Sequence, residues 1–260
     1  MKTTRNLLPA ALVAALLAAP AALALEGAEL KKVLETIDDR QRNGGDYKSL
    51  IYIEQKEKDK ADTVFEALVY RRDADDKLMI LFTKPKGEAG KGYLRLDKNL
   101  WSYDPGVGKW ERRTERERIA GTDSRRADFD ESRLAEEYDP KYEGAEALGK
   151  FTAHKVTLKA KSGIDVAYPV IQLWVDKDTN NVLKRQEFAL SGRLMRTVFY
   201  PAWQKLFSES KGAEVWYPQK VLIYDEVEKA NSSVILIKQV DLRPLEANIF
   251  TKAWLESKSR

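Results

Sequence analysis

Hydrophobic and polar positions change period along this chain, and the changes predict its elements. Between Glu26 and Arg42, Leu30, Val33, Leu34 and Ile37 recur at i, i+3, i+4 and i+7 with charged residues between them. That spacing predicts an amphipathic helix over Glu26–Arg42, ended by Asn43-Gly44-Gly45. From Tyr47 the pattern becomes that of strands. Ser49–Lys56, Thr63–Arg71, Leu78–Lys84, Lys91–Asp97, Asn99–Tyr103 and Lys109–Arg113 are extended runs parted by short polar connectors. Asp104-Pro105-Gly106 is a turn: proline fixes φ, and glycine accepts positive φ. Thr114–Tyr142 is polar and predicts one short helix over Asp130–Tyr138, with Asp128 or Asp130 as its cap. Strands resume at Phe151–Lys159, Val170–Asp176, Val182–Leu190, Leu194–Tyr200, Glu214–Tyr217, Lys220–Glu226 and Ser233–Asp241. Phe250–Glu256 closes the pattern as a short helix or an edge.

Regular short strands with turn signals predict a mainly β fold, a single antiparallel sheet strongly curved or nearly closed. No internal repeat or low-complexity linker divides it, so Leu25–Arg260 is expected to be one domain. Several strands are apolar on both faces. Leu78-Met79-Ile80-Leu81-Phe82 does not alternate at all, and Val64–Tyr70 and Val170–Val175 hardly do. Such strands need a cover on each side, helices on one and an interior on the other, either packed or hollow. Phe65, Ala67 and Val69 share one face of their strand, and Ile80 and Phe82 share a face of the next. These five residues are the candidate wall of an apolar cavity.

The N-terminus changes the picture of where the protein works. Met1–Ala24 begins with Lys2 and Arg5, continues as an Ala/Leu run from Leu7 to Leu23, and ends in Ala22-Leu23-Ala24. This is the pattern of a secretory signal peptide cleaved after Ala24. A membrane anchor is the competing reading, but the run is barely long enough to span a bilayer and Pro20 breaks its end. The periplasm is the expected location. The chain has no cysteine, so it cannot carry a lipid on one. The 236 residues left after removal of 24 from 260 are enough to bury a core without disulfides.

Charge points to no special partner. Without Lys2 and Arg5, 43 of the 45 basic residues face 41 acidic ones. Arg112-Arg113 and Arg125-Arg126 are interleaved with Glu115, Glu117, Asp123 and Asp128, whereas a nucleic-acid binder segregates its positive charge. Candidate chemistry is thin. His154 is the one histidine, sits inside a strand, and has no Gly-x-Ser-x-Gly elbow to serve. Asp176-x-Asp178-x-Asn180-Asn181 with Glu187 at the twelfth position approaches a calcium loop. Its sixth position is not glycine, its flanks read as strands, and a hairpin turn explains it without an ion. Trp101, Tyr103 and Trp110 flank the turn at Asp104–Gly108, where they either brace a hairpin or line a cavity mouth. No catalytic residue, cofactor or metal is expected.

Motifs taken in order carry a resemblance. Leu100-Trp101-Ser102-Tyr103-Asp104-Pro105 precedes an Arg/Glu-rich strand, and Gly121-Thr122-Asp123 leads to Asp128-Phe129-Asp130. Trp174-Val175-Asp176-Lys177, Gly192-Arg193-Leu194-Met195-Arg196, Trp216-Tyr217-Pro218 and Phe250-Thr251-x-x-Trp254-Leu255 follow. From about Glu26 to Leu255 the chain resembles the LolA-like outer membrane lipoprotein-sorting proteins, in the branch found beside RND/MMPL-type exporters. It departs from them at Gly121–Arg126, where Ser-Arg-Arg-Ala intervenes. The resemblance implies a half-open antiparallel β-barrel over a helical lid, with an apolar cavity for acyl chains. It implies a carrier of lipid or lipoprotein acyl chains, with an inner-membrane RND/MMPL exporter and an outer-membrane acceptor as partners. A lipid-sensing binding module is the alternative, and a hydrolase stands further off.

The expected mature chain begins at Leu25. Intact mass of exported protein checks this, and retention of Met1–Ala24 in a membrane fraction contradicts it.

Overall fold

A computed structural model describes residues 25, 27–42, 45–96, 99–114, 117–129 and 132–259. Met1–Ala24, and the signal peptide read from it, lie outside the described residues. Helix α1 (Ala28–Arg42) is followed by six strands: β1 (Asp46–Lys56), β2 (Thr63–Arg72), β3 (Lys77–Lys84), β4 (Gly92–Leu96), β5 (Asn99–Asp104) and β6 (Lys109–Arg113). A connector holding α2 (Leu134–Glu137) leads to β7 (Tyr138–Leu148), β8 (Phe151–Ala160), β9 (Val170–Asp176) and β10 (Val182–Phe188). Then come β11 (Leu194–Ser208), β12 (Ala213–Asp225), β13 (Ser232–Asp241) and α3 (Lys252–Lys258).

All thirteen strands form one antiparallel sheet in the order β6-β5-β4-β3-β2-β1-β13-β12-β11-β10-β9-β8-β7. Strands consecutive in sequence pair with each other except β6 and β7, and one pair is distant in sequence: β13 returns to lie beside β1, Ile51 opposite Ile237 and Ile53 opposite Ile235. The sheet does not close: β6 and β7, its two edges, are consecutive strands. The connector between them therefore runs from one edge of the opening to the other.

Strands apolar on both faces have two covers. On one face Phe65, Ala67 and Val69 of β2 pack with Ile80 and Phe82 of β3 and with Ile51 and Ile53 of β1. The pairings Val69 with Ile80 and Ala67 with Phe82 fix that register. On the other face Met79, Leu81 and Leu94 lie under Phe250 and Leu255. Thr251 starts α3, its hydroxyl accepting from the Trp254 amide at 3.2 Å. Gly92 lets α3 come this close, since a Cβ there would meet Leu255 Cδ1 at 2.7 Å and the Ile80 carbonyl at 2.5 Å. Helix α1 buries Leu30, Val33, Leu34 and Ile37 against Val156, Leu158, Ile171 and Leu173 of β8 and β9.

Three expectations change. The helix over Asp130–Tyr138 shrinks to four residues, and Tyr138 opens a strand that the sequence pattern did not reveal. Strand β7 is an edge with few buried positions, so it has no apolar alternation to signal it. Of the two expected caps of α2, Asp128 binds Arg196 instead, and Asp130 lies outside the described residues. Asp38 of α1 holds the start of α2. Its carboxylate accepts from the Leu134 and Ala135 amides, each at 2.9 Å, and from Ser132 Oγ at 2.5 Å. Finally, Glu214–Tyr217 and Lys220–Glu226 are one strand. Pro218 of β12 faces Trp203 of β11, near Pro201, where the register shifts. A shift is where a ladder tolerates residues that lack an N–H.

Asp38→Ala strands two amides of α2, one buried and one half-buried, and is expected to cost about 2–3 kcal/mol. That corresponds to a fall of about 5–10 °C in Tm for a chain of this length. Thermal melts check it, with Asp38→Asn, which keeps one acceptor, losing less.

Candidate functional site: a chamber inside the open sheet

Inward positions of β1, β2 and β11–β13 face one another across an apolar chamber of ≈ 250 Å³. Ile51, Ile53, Val198, Ile223, Ile235 and Ile237 supply its walls, and Ile37 of α1 and Leu134 of α2 reach it from the helical side. Tyr47, Trp203, Trp216 and Tyr217 form its aromatic part. A second, polar cleft of ≈ 770 Å³ lies beside it and shares Asp73, Asp128 and Arg185 with it. Acidic and basic side chains such as Asp75, Arg95, Glu137 and Glu187 line the cleft. The smaller space is the one with walls suited to an apolar ligand.

Two buried polar clusters fasten the connector to the sheet. In the first, Asp123 is 2% exposed. Its amide donates to Gln55 Oε1 and Ser233 Oγ at 3.1 and 2.9 Å, and its carboxylate accepts from Gln55 Nε2 at 3.0 Å. Arg118 reaches Asp225 of β12 at 3.0 Å beside it. Ile119 of the same segment drops into the core next to Phe65 and Phe82. In the second cluster Arg196 of β11, 1% exposed, donates to both Asp128 oxygens at 3.0 and 2.9 Å. Glu187 of β10 lies 3.4 Å from the same guanidinium and 2.7 Å from that of Arg185. Burial works against the charge on Arg196, but Asp128 and Glu187 beside it hold its pKa well above the usual value. Burial also pushes Tyr200, nearby on the chamber wall, up to about 12.

Residues 74–257 match the model of a family described as "Uncharacterized protein". The chain belongs to that family. No curated protein matches its sequence. Three solved structures share its architecture. A LolA superfamily protein from Nitrosomonas europaea is 22% identical, covering 86% of this chain and 98% of its own, with TM-score 0.68. A domain assigned to outer membrane lipoprotein sorting, from Vibrio parahaemolyticus, is 15% identical over 87% and 97%, with TM-score 0.75. A DUF1329 family protein from Desulfovibrio piger is 18% identical over 87% and 98%, with TM-score 0.72. The fold is LolA-like: an antiparallel sheet of thirteen strands among the described residues, left open at one side, with few helices.

Within this LolA-like fold the five residues expected on a cavity wall fall in two places. Val69 lines the chamber. Phe65, Ala67, Ile80 and Phe82 share its face but sit in the packed cluster alongside, outside the lining. Trp101, Tyr103 and Trp110 belong to the other side of the sheet. Tyr103 and Trp110 pack at 5.1 Å, Trp110 Nε1 donates to Glu256 at 2.7 Å, and Lys252 of α3 lies over Trp101. They brace the hairpin and α3, and the cavity-mouth alternative is set aside. The chamber's own aromatics went unassigned by sequence reasoning, although Trp216-Tyr217-Pro218 is a motif visible in the chain. His154 is buried, its Nδ1 3.1 Å from the Tyr142 hydroxyl, and burial lowers its pKa. The acidic turn after β9 is a hairpin closed by Asp176 N–H to Asn181 O at 2.8 Å, with Asn180 at φ 56°. Glu187 of that motif is spent on Arg185 and Arg196.

Arg196→Met leaves Glu187 buried without one of its cations and is expected to cost about 3–5 kcal/mol. Chemical denaturation measures it. Adding Glu187→Met should recover only part of the loss, because it removes the unpaired carboxylate but takes from Arg185 its own partner.

Proposed function

We propose that this protein is a non-enzymatic periplasmic carrier that hides the acyl part of a lipid or lipoprotein in the chamber between the halves of its sheet. The observation that carries the reading is the apolar chamber itself, enclosed by β1, β2 and β11–β13 within a LolA-like fold. Acyl chains do not cross water unaided: each methylene taken out of water is worth about 0.8 kcal/mol. A wall of Ile51, Ile53, Ile235 and Ile237 offers that gain without any covalent step. The opening between β6 and β7 is spanned by a segment held through side chains rather than by a continuous ladder, which is the kind of closure that can move. The Vibrio parahaemolyticus neighbour, assigned to outer membrane lipoprotein sorting, supports the same reading. In the full proposal one domain, Leu25–Arg260, takes its cargo from an inner-membrane exporter of the RND/MMPL type and yields it toward the outer membrane.

Titration of a fluorescent fatty acid against the purified mature protein tests this. Saturable binding is expected. Val221→Glu, at a half-buried wall position, places a charge in the chamber and should abolish uptake while the melt stays cooperative. No saturable binding to well-folded wild type rejects the reading. Binding without transfer between donor and acceptor vesicles would replace carrier by sensor.

A further inference from the structure

Four guanidiniums line the chamber, those of Arg40, Arg71, Arg185 and Arg196. Three have carboxylates: Arg71 lies 2.5 Å from Asp73, Arg185 2.7 Å from Glu187, and Arg196 2.9 Å from Asp128. Arg40 has none among the described residues. Its Nη1 donates to a neutral acceptor, Asn181 Oδ1, at 2.8 Å, and its Cζ lies 5.8 Å from the centroid of the Trp216 ring. Position in the last turn of α1 favours a cation through the helix dipole. The dipole does not account for a guanidinium turned inward onto Trp216 and the chamber instead of outward into water. Half-buried there, Arg40 is desolvated without a counter-charge, which lowers its pKa.

A second orphan lies in the same lining. Tyr217 is 8% exposed and packs edge-on against Tyr47 at 5.1 Å. Its hydroxyl is buried and has no hydrogen-bond partner among the described residues. An unmet buried hydroxyl is costly unless a ligand group meets it. Arg71 ties this part of the wall to the end of α1, its Nη2 donating to the Gln41 carbonyl at 3.0 Å. The chamber therefore carries one unpaired cation and a free donor, while its other guanidiniums are matched by carboxylates and Val198, Ile223, Ile235 and Ile237 give it an aliphatic stretch. At ≈ 250 Å³ the chamber lies just below the range of about 300–1,000 Å³ typical of ligand pockets, which suits one chain better than a bundle of chains.

We propose that the ligand is a single-chain amphiphile with an anionic head, its tail among Val198, Ile223, Ile235 and Ile237 and its head on Arg40, with the Tyr217 hydroxyl as a second donor. This rests on the carrier reading and adds the polarity of the cargo to it. Carboxylate and phosphate heads share the required chemistry.

Calorimetry at neutral pH on the mature protein, with dodecanoate, dodecyl phosphate, dodecanol and inorganic phosphate, tests it. Both anionic amphiphiles should bind about tenfold or more tightly than dodecanol, the gain of a charge-assisted hydrogen bond. Arg40→Gln should bring them down to the level of dodecanol, and Tyr217→Phe should weaken them by a smaller factor. Equal binding of dodecanol and dodecanoate by wild type overturns the anionic head and leaves the carrier standing. So does Arg40→Gln weakening alcohol and acid alike. Inorganic phosphate binding as tightly as dodecyl phosphate overturns the amphiphile in favour of a free anion. Failure of all four probes on folded protein overturns the carrier reading itself.

Discussion

Everything inside this protein depends on the pairing of β1 with β13. These strands lie at opposite ends of the chain, Ile51 against Ile237 and Ile53 against Ile235, and their ladder joins two antiparallel meanders into one sheet. Without it the N-terminal half would be a six-stranded meander with an apolar face on β1 and β2 exposed. The C-terminal half would bury only what α1 covers. With it the two inner faces turn toward each other, and the space between them is the chamber. Contacts so distant in sequence carry a loop-closure cost that local hairpins do not. The chamber is thus a property of the finished fold and of no local segment.

The same pairing explains what the sequence could and could not disclose. Strands β2, β3, β8 and β9 are legible because burial on both faces enriches them in Val, Ile, Leu and Phe. The face shared by Phe65, Ala67, Val69, Ile80 and Phe82 is likewise legible, because a two-residue period needs only local alternation. Whether a residue on that face meets a neighbour or empty space depends on how far away the other half of the sheet stands. Val69 faces the chamber, and Phe82, two residues beyond Val69's partner Ile80, meets Phe65 and Tyr93. No local pattern separates the two cases. The wall on β11 and β12 was hidden for another reason: Pro201 and Pro218 interrupt the alternation where Trp203, Trp216 and Tyr217 turn inward. Asp38, the acceptor for α2, was invisible because it lies 96 residues from the Leu134 amide it serves.

The connector between β6 and β7 shows how polar burial differs from apolar burial in this fold. Its apolar contribution is small, Ile119 and Leu134 being its buried apolar side chains among the described residues. Its hold comes from Asp123, seated on Gln55 of β1 and Ser233 of β13, and from Asp128, seated on Arg196 of β11. Such contacts are directional and strong when complete, and they are lost together when geometry shifts. Apolar packing alone would let the segment slide; these carboxylates give it one position.

A sheet that stays open keeps two strands with unpaired backbone, and in a protein rich in β-formers this invites stacking into fibrils or pairing with another copy. Edge strand β6 reads Lys-Trp-Glu-Arg-Arg, with charge on four of its five residues. Edge strand β7 carries Asp139, Lys141, Glu143 and Glu146, a proline at 140, and a register break at Gly144, whose φ is 125°. Charge, proline and bulge are the features that make an edge a poor template for addition. The open side of the sheet is thereby kept from becoming a polymerisation surface, because neither edge offers another copy of the chain a clean ladder to extend.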